Sequence, residues 1–222
     1  MKVKAVVFDM DGVVVDSTHA WWVTFNEALR HFGFPPVSEK KFMGEILGES
    51  TQDDVEKYYP GVTVEKLLAA YDRFFRKNLK NVRVFPDTKL VLEQLSSLGV
   101  KKAIATNTPK ELAFETLKST KILSDFDVVL TPDDVGAGKP DPAMILEACR
   151  RLGANVKEII YVGDTVSDVK AAEAAGCRMI GVGVDADTRV TRLREIIPLV
   201  TGRAQKPPAC TRLSPPSLSR SR

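Results

Sequence analysis

Histidine and cysteine are scarce in this chain of 222 residues, and the scarcity removes whole classes of chemistry. His19 and His31 are the only histidines, too few for a His-based triad or zinc centre to be well supported. Cys149, Cys177 and Cys210 are odd in number, far apart and without C-x-x-C spacing. They read as reduced thiols of a cytoplasmic protein rather than a disulfide framework. No apolar run nears the roughly eighteen residues of a membrane span, and no signal-peptide pattern opens the chain. A basic body is missing too, despite a formal net charge of +3. Residues 201–222 carry Arg203, Lys206, Arg212, Arg220 and Arg222 and no acid, which leaves 27 basic against 29 acidic residues elsewhere. A balance of −2 argues against a nucleic-acid-binding domain. The Pro-, Ser- and Arg-rich end from Thr201 reads as a disordered tail.

What the chain does have starts at Val3. Val3–Phe8 is almost wholly apolar and mostly β-branched, the pattern of a strand buried on both faces, and it ends in Asp9-Met10-Asp11-Gly12. Carboxylates at alternate positions of a strand point the same way and repel unless a cation lies between them. A hard divalent ion, most economically Mg²⁺, fits that demand and leaves room for a phosphate. The alternative is a strand followed by an ordinary acidic turn. An EF-hand is excluded, because Val13 and Ala20 stand where calcium ligands are required.

After Ser17 the period changes. Trp21, Phe25, Ala28, Leu29 and Phe32 recur at helical spacing until Gly33 and Pro35-Pro36, and Trp21-Trp22 reads as core of that region. A polar stretch, Ser38–Gly48, precedes helices predicted over 50–58 and 63–79, so the segment 17–82 is all-helical. Beyond it Val82–Phe85 leads into a helix over 87–97. Strands at 100–105, 126–130, 158–163 and 179–184 then alternate with helices near 110–119, 142–152 and 167–175. A last helix is expected near 189–196, with no strand after Val184. The alternation predicts an α/β fold: a Rossmann-like, doubly wound parallel sheet with ligands beyond the carboxyl ends of its strands. The expected organisation is a core of 1–16 and 83–200, an inserted helical lid of 17–82 and a tail of 201–222.

Four signatures in order then resemble the haloacid dehalogenase superfamily, in its phosphatase branch with a helical cap, similar to phosphoglycolate phosphatases. They are Asp9-Met10-Asp11-Gly12-Val13, Thr106-Asn107, Lys139-Pro140-Asp141-Pro142 and Gly163-Asp164-Thr165-Val166-Ser167-Asp168. The resemblance covers about residues 1–200. It implies that Asp9 is a nucleophile forming an aspartyl-phosphate and Asp11 a general acid and base. It further implies Mg²⁺ on Asp9, the Asp11 main-chain carbonyl and Asp164, with Asp168 orienting waters or Lys139 behind it. Thr106, Asn107 and Lys139 would bind the phosphoryl group, Lys139 also stabilising the transition state. The substrate would be a small phosphorylated metabolite, handled in the cytoplasm by a monomer or homodimer, with no nucleic acid or membrane as partner.

Other readings fit less well. Gly136-Ala137-Gly138-Lys139 imitates part of a P-loop, yet Asp133 replaces its first glycine and Pro140 its Ser/Thr. Gly181-Val182-Gly183 lacks the acid that a dinucleotide fingerprint needs about twenty residues on. A sugar phosphomutase of the β-phosphoglucomutase type needs a cap histidine and basic residues where this chain has Trp21, Leu47 and Thr51, although His19 is near. A true dehalogenase lacks the second aspartate, and a phosphonatase-like enzyme needs a lysine that Ser17–Arg30 does not contain. A receiver domain has no inserted lid, and a silent binding protein has no need of the full residue set. The loop setting specificity is expected within Lys40–Ser50.

Overall fold

The apolar run at the N-terminus forms β1 (Ala5–Phe8), every residue of it buried. In the computed structural model, which describes residues 2–202, β1 lies inside a six-stranded sheet. A two-residue strand, β2 (Val15–Asp16), follows and pairs antiparallel with β3 (Arg83–Val84). The other sheet strands are β4 (Lys101–Ala105), β5 (Val128–Leu130), β6 (Ile159–Gly163), β7 (Arg178–Val182) and β8 (Thr188–Val190). Their spatial order is β5-β4-β1-β6-β7-β8, and every pairing is parallel.

Between β2 and β3 runs the inserted helical region: α1 (Thr18–His31), α2 (Glu39–Lys41), α3 (Thr51–Tyr58) and α4 (Val64–Asn78). The α4 sequence shows why it forms. The Thr63 hydroxyl caps its start by accepting from the Lys66 N–H, and Leu67, Ala70, Tyr71, Phe74 and Phe75 recur as one buried stripe. That stripe packs on α1, giving the insert its own core of Phe25, Leu29, Tyr59, Leu67 and Phe74. Truncating Leu67 to Ala would cost about 2–5 kcal/mol. Because β2 and β3 pair, the two passages into and out of the insert run side by side.

The remaining helices cover the sheet. They are α5 (Thr88–Ser97), α6 (Lys110–Ser119), α7 (Pro132–Val135), α8 (Ala143–Leu152), α9 (Val166–Ala175) and α10 (Ile196–Thr201). Alternation along β1 decides which faces meet. Val6 and Phe8 pack with Leu95 of α5, Leu117 of α6 and Ile196 of α10, whereas Ala5 and Val7 pack with Ile145 of α8 and Ala171 of α9.

The far edge corrects the sequence reading. A sixth strand, β8, exists where none was expected, and the helix expected over 189–196 is replaced by β8, a short turn and α10. Two physical reasons explain the miss. Only Val190 of Thr188-Arg189-Val190 is buried, so this edge strand has no apolar run. Parallel strands also normally need a long crossover. Here Thr188 aligns with Ile180, so the chain doubles back by little more than two residues, roughly 7 Å, and a short loop suffices. Within the polar stretch Ser38–Gly48, α2 runs into a widened helical turn over Phe42–Ile46. The expected tail falls outside the described residues from position 203 onward. Among the described residues no helix is long and apolar enough to cross a membrane, and Cys149 and Cys177 are buried free thiols.

Candidate active site

Chain order reverses around β1, with β4 on one side and β6 on the other, and ligand crevices open at such points. The three strands end there in Asp9, Thr106 and Asp164. The Asp9 N–H still donates to the Val162 carbonyl at 2.8 Å, so the sheet carries Asp9 to its rim while leaving it 5% exposed. Asp11 lies in the turn that follows, not in a continued strand. Gly12 makes that turn with φ +76°, and a Cβ there would stand 1.9 Å from Asp164 Oδ2. Backbone angle and space both require glycine.

Lys139 joins the carboxylates. Its Nζ lies 2.7 Å from Asp9 Oδ1 and 2.7 Å from Asp168 Oδ1. Asp168, wholly buried, is saturated: Oδ1 also accepts from the Tyr161 hydroxyl at 2.7 Å, and Oδ2 accepts from the Asp164 and Thr165 N–H groups and the Thr165 hydroxyl. The same residue closes the capping box that starts α9, so a helix end holds the site residue in place. Burial alone would raise the Asp168 carboxyl, but Lys139, Tyr161 and Thr165 hold it below the usual range. Burial would likewise lower Lys139, and Asp168 and Asp9 outweigh it, keeping the ammonium charged. Asp9 goes the other way. Burial pushes its carboxyl well up, Lys139 opposes, and Asp168, Asp164 and Asp11 add repulsion.

Asp11 is held by three donors: the Thr108 hydroxyl on Oδ2 at 2.6 Å, and on Oδ1 the Ser17 hydroxyl and the Trp21 indole N–H, the latter at 3.2 Å. Sequence reasoning named none of these partners. Ser17 and Trp21 stand one helical turn apart at the start of α1, a spacing that was legible, but Trp21 read as core. It is core as well, its ring 4.2 Å from that of Phe75. Thr106 is buried, and its hydroxyl oxygen accepts from the Thr108 N–H at 3.1 Å, leaving its own O–H to donate. The Asn107 side chain clamps the Lys139 main chain, Oδ1 accepting from N–H at 2.7 Å and Nδ2 donating to C=O at 3.0 Å.

The acidic cluster fits a divalent cation. Carboxylate oxygens of Asp9, Asp164 and Asp168 lie within 4.8 Å of one another. Asp168 is already saturated, whereas Asp164 Oδ1 is buried with no hydrogen-bond partner. Burial and then the neighbouring Asp168 push the Asp164 carboxyl up to about 7. A cation between Asp9 and Asp164 would relieve both the orphaned oxygen and the repulsion.

Over these groups the insert closes a cleft. Its walls include Trp21, Phe25, Phe42, Ile46, Leu47, Gly48, Thr51 and Tyr71 opposite Asp9, Asp11, Thr106 and Lys139. Phe42 to Glu49 of this lining fall in the stretch expected to set specificity. Gly48 rests directly on the core: its φ is +87°, and a Cβ there would stand 2.5 Å from Thr165 Cγ2. Arg76 of α4 reaches Glu111 of α6 at 3.2 Å and also pairs with Glu115, a second contact between insert and core.

Known proteins resemble this chain in sequence and fold. The family model for haloacid dehalogenase-like hydrolases matches residues 6–182. A phosphoglycolate phosphatase of Yersinia pseudotuberculosis is 30% identical over 187 residues, covering 81% of this chain and 81% of its own. One of Neisseria meningitidis is 31% identical over 188 residues, 81% and 80% of the two chains. A crystal structure from Haemophilus somnus, described as that of a predicted phosphoglycolate phosphatase, superposes with a TM-score of 0.79. It is 25% identical and covers 90% of this chain and 98% of its own.

Proposed function

The chain belongs to the haloacid dehalogenase-like hydrolase family, and on that premise we propose that it is a Mg²⁺-dependent phosphatase of a small phosphomonoester, of phosphoglycolate or sugar-phosphate size, working through an aspartyl-phosphate. The observation that carries the reading is the buried Asp9 at the sheet rim, held by Lys139 beside an Asp164 with one unpartnered oxygen.

In the first step an Asp9 carboxylate oxygen forms a bond to phosphorus as the bond to the ester oxygen breaks, and Asp11 gives that oxygen its proton. In the second, water attacks phosphorus, Asp11 takes the water proton, and the Asp9–phosphorus bond breaks. The two hydroxyls on Asp11 suit this alternation, because Ser17 and Thr108 can donate to the carboxylate or accept from the acid. Lys139 keeps a fixed positive charge beside the attacking oxygen, and the Thr106 hydroxyl donates to a phosphoryl oxygen. Asp9, Asp164 and the Asp11 carbonyl would hold Mg²⁺, which when bound screens the phosphate from the carboxylates. Residues 17–82 would act as the cap, closing where Gly48 meets Thr165 and excluding water until the covalent intermediate has formed.

Hydrolysis is favoured over phosphomutase chemistry. Trp21, Leu47 and Thr51 line the cleft, and His19 instead lies 4.0 Å from Glu39 with its ring against Trp22. The test is phosphate release from a panel of small phosphomonoesters with Mg²⁺ or with chelator. Mg²⁺-dependent release that Asp9→Asn abolishes supports the reading; isomerised sugar phosphate without free phosphate refutes it.

A further inference from the structure

The insert side of the cleft contains a carboxylate that the chemistry at Asp9 does not use. Asp54 lies in the first turn of α3, lines the cleft and is only 7% exposed. The Tyr71 hydroxyl of α4 donates to its Oδ2 at 2.8 Å, while Oδ1 is buried with no hydrogen-bond partner. Trp21, Phe25, Phe42 and Ile46 make the surroundings apolar. Were Asp54 only a strut between α3 and α4, an asparagine oxygen would take the same bond from Tyr71 without a charge. A buried carboxylate with an open oxygen is unfavourable until something donates to it. Burial pushes Asp54 up to about 7; Tyr71 and Lys57 oppose that rise, and Glu49 and Asp53 add to it.

The charge balance of the cleft says what the donor is. Among the described residues, Lys139 is the only Lys, Arg or His lining it, and Lys139 is committed to Asp9 and Asp168. Glu49 also lines the insert side, with Lys57 at 3.1 Å as its partner. A leaving group bearing a carboxylate or a second phosphate would meet Asp54 with no cation to offset it. An ammonium would supply the missing donor, carry the opposite charge and lie among the rings of Trp21, Phe25 and Tyr71, whose faces attract cations.

We propose that Asp54 determines specificity in a leaving-group subsite for the phosphomonoester of an amino alcohol, the ammonium donating to Asp54 Oδ1. This rests on the phosphatase reading above and narrows its substrate class. The experiment compares phosphate release by the full chain, with Mg²⁺, from 2-aminoethyl phosphate, 2-hydroxyethyl phosphate and phosphoglycolate, which differ only at the far end. The expected kcat/KM falls in that order, with about a tenfold or greater span. Asp54→Asn is expected to lower kcat/KM for the aminoethyl ester about tenfold, chiefly through KM, and to leave the span near unity. Wild type that prefers phosphoglycolate overturns the subsite, as does an Asp54→Asn variant that slows all three esters by one factor. Should that variant not fold, the wild-type order still decides. Hydrolysis that depends on Asp9 yet favours phosphoglycolate defeats the subsite alone, whereas no hydrolysis of any ester defeats the phosphatase reading beneath it.

Discussion

The two sides of the cleft hold their polar groups in opposite ways. On the core side most polar atoms are tied down, Asp164 Oδ1 excepted: Asp168 takes five donors, Lys139 bridges two carboxylates, and Asn107 clamps the Lys139 backbone. On the insert side the walls are mostly aromatic and aliphatic, and the buried Asp54 has one oxygen occupied and one without a partner. Fixed geometry suits charge that must be stabilised identically in every turnover, because preorganised dipoles need no rearrangement. A loosely populated wall suits recognition, where the ligand completes the set of bonds. On the proposed reading the core carries the reaction and the insert the choice of ester.

The sharpest way to break this division is at Asp9. Asp9→Asn is expected to lower the phosphate-release rate by about 10³-fold or more on every ester, with the melting temperature little changed. An ester that escapes the loss would move chemistry to another residue. Lys139→Met comes next. It leaves Asp9 and Asp168 buried without their shared cation, so thermal unfolding should show a loss of about 3–5 kcal/mol, with activity lost as well. Added Mg²⁺ should restore part of that stability, since a cation near Asp9 relieves the same repulsion. Gly48→Ala tests where the two sides meet. Its Cβ would collide with Thr165 and the residue would be strained at positive φ, so kcat/KM should fall about tenfold and stability by about 1 kcal/mol.

Asp54 in the ligand-free chain is expected to act on stability alone, through pH. Its carboxyl stays protonated up to about 7 when folded, against an ordinary value of 3.8, so the folded state binds the proton more tightly. Stability from this group is therefore full below about pH 4 and falls as pH rises to 7. Asp54→Asn removes that fall. Its melting temperature relative to wild type should climb across this window and level off above it, by up to roughly 4 kcal/mol in stability. A flat difference across pH would mean that Asp54 is not held neutral.

Much of the core side was legible in the sequence, and the reason is local. Asp9 and Asp164 follow strands announced by apolar runs, and a strand end places the next residue at the sheet rim whatever lies elsewhere. Lys139 and Asp168 were found through the resemblance, since a loop lysine and a helix-start aspartate say little alone. What stayed hidden depends on contacts between distant segments. Thr108 and Trp21 meet at Asp11 only after β4 and α1 have packed, and the Asn107 clamp joins residues 32 positions apart. Tyr161 alternates within β6 like any core residue until its hydroxyl reaches Asp168. Asp54 is one acid of the polar run Gln52-Asp53-Asp54, and the packing of α4 against α3 buries it. β8 was missed because its register, not its composition, makes it a strand.

Whether Asp9 carries the phosphoryl group is tested directly by a trapping experiment. The chain is acid-quenched while turning over radiolabelled p-nitrophenyl phosphate with Mg²⁺, using Asp11→Asn to slow the second step, and the labelled peptide is mapped. p-Nitrophenolate leaves without a proton, so loss of the Asp11 acid does not block the first step. The expected result is an acid-stable, hydroxylamine-sensitive label on the peptide containing Asp9, absent when Asp9 is asparagine. A label on another residue, or turnover undiminished in Asp9→Asn, would contradict it.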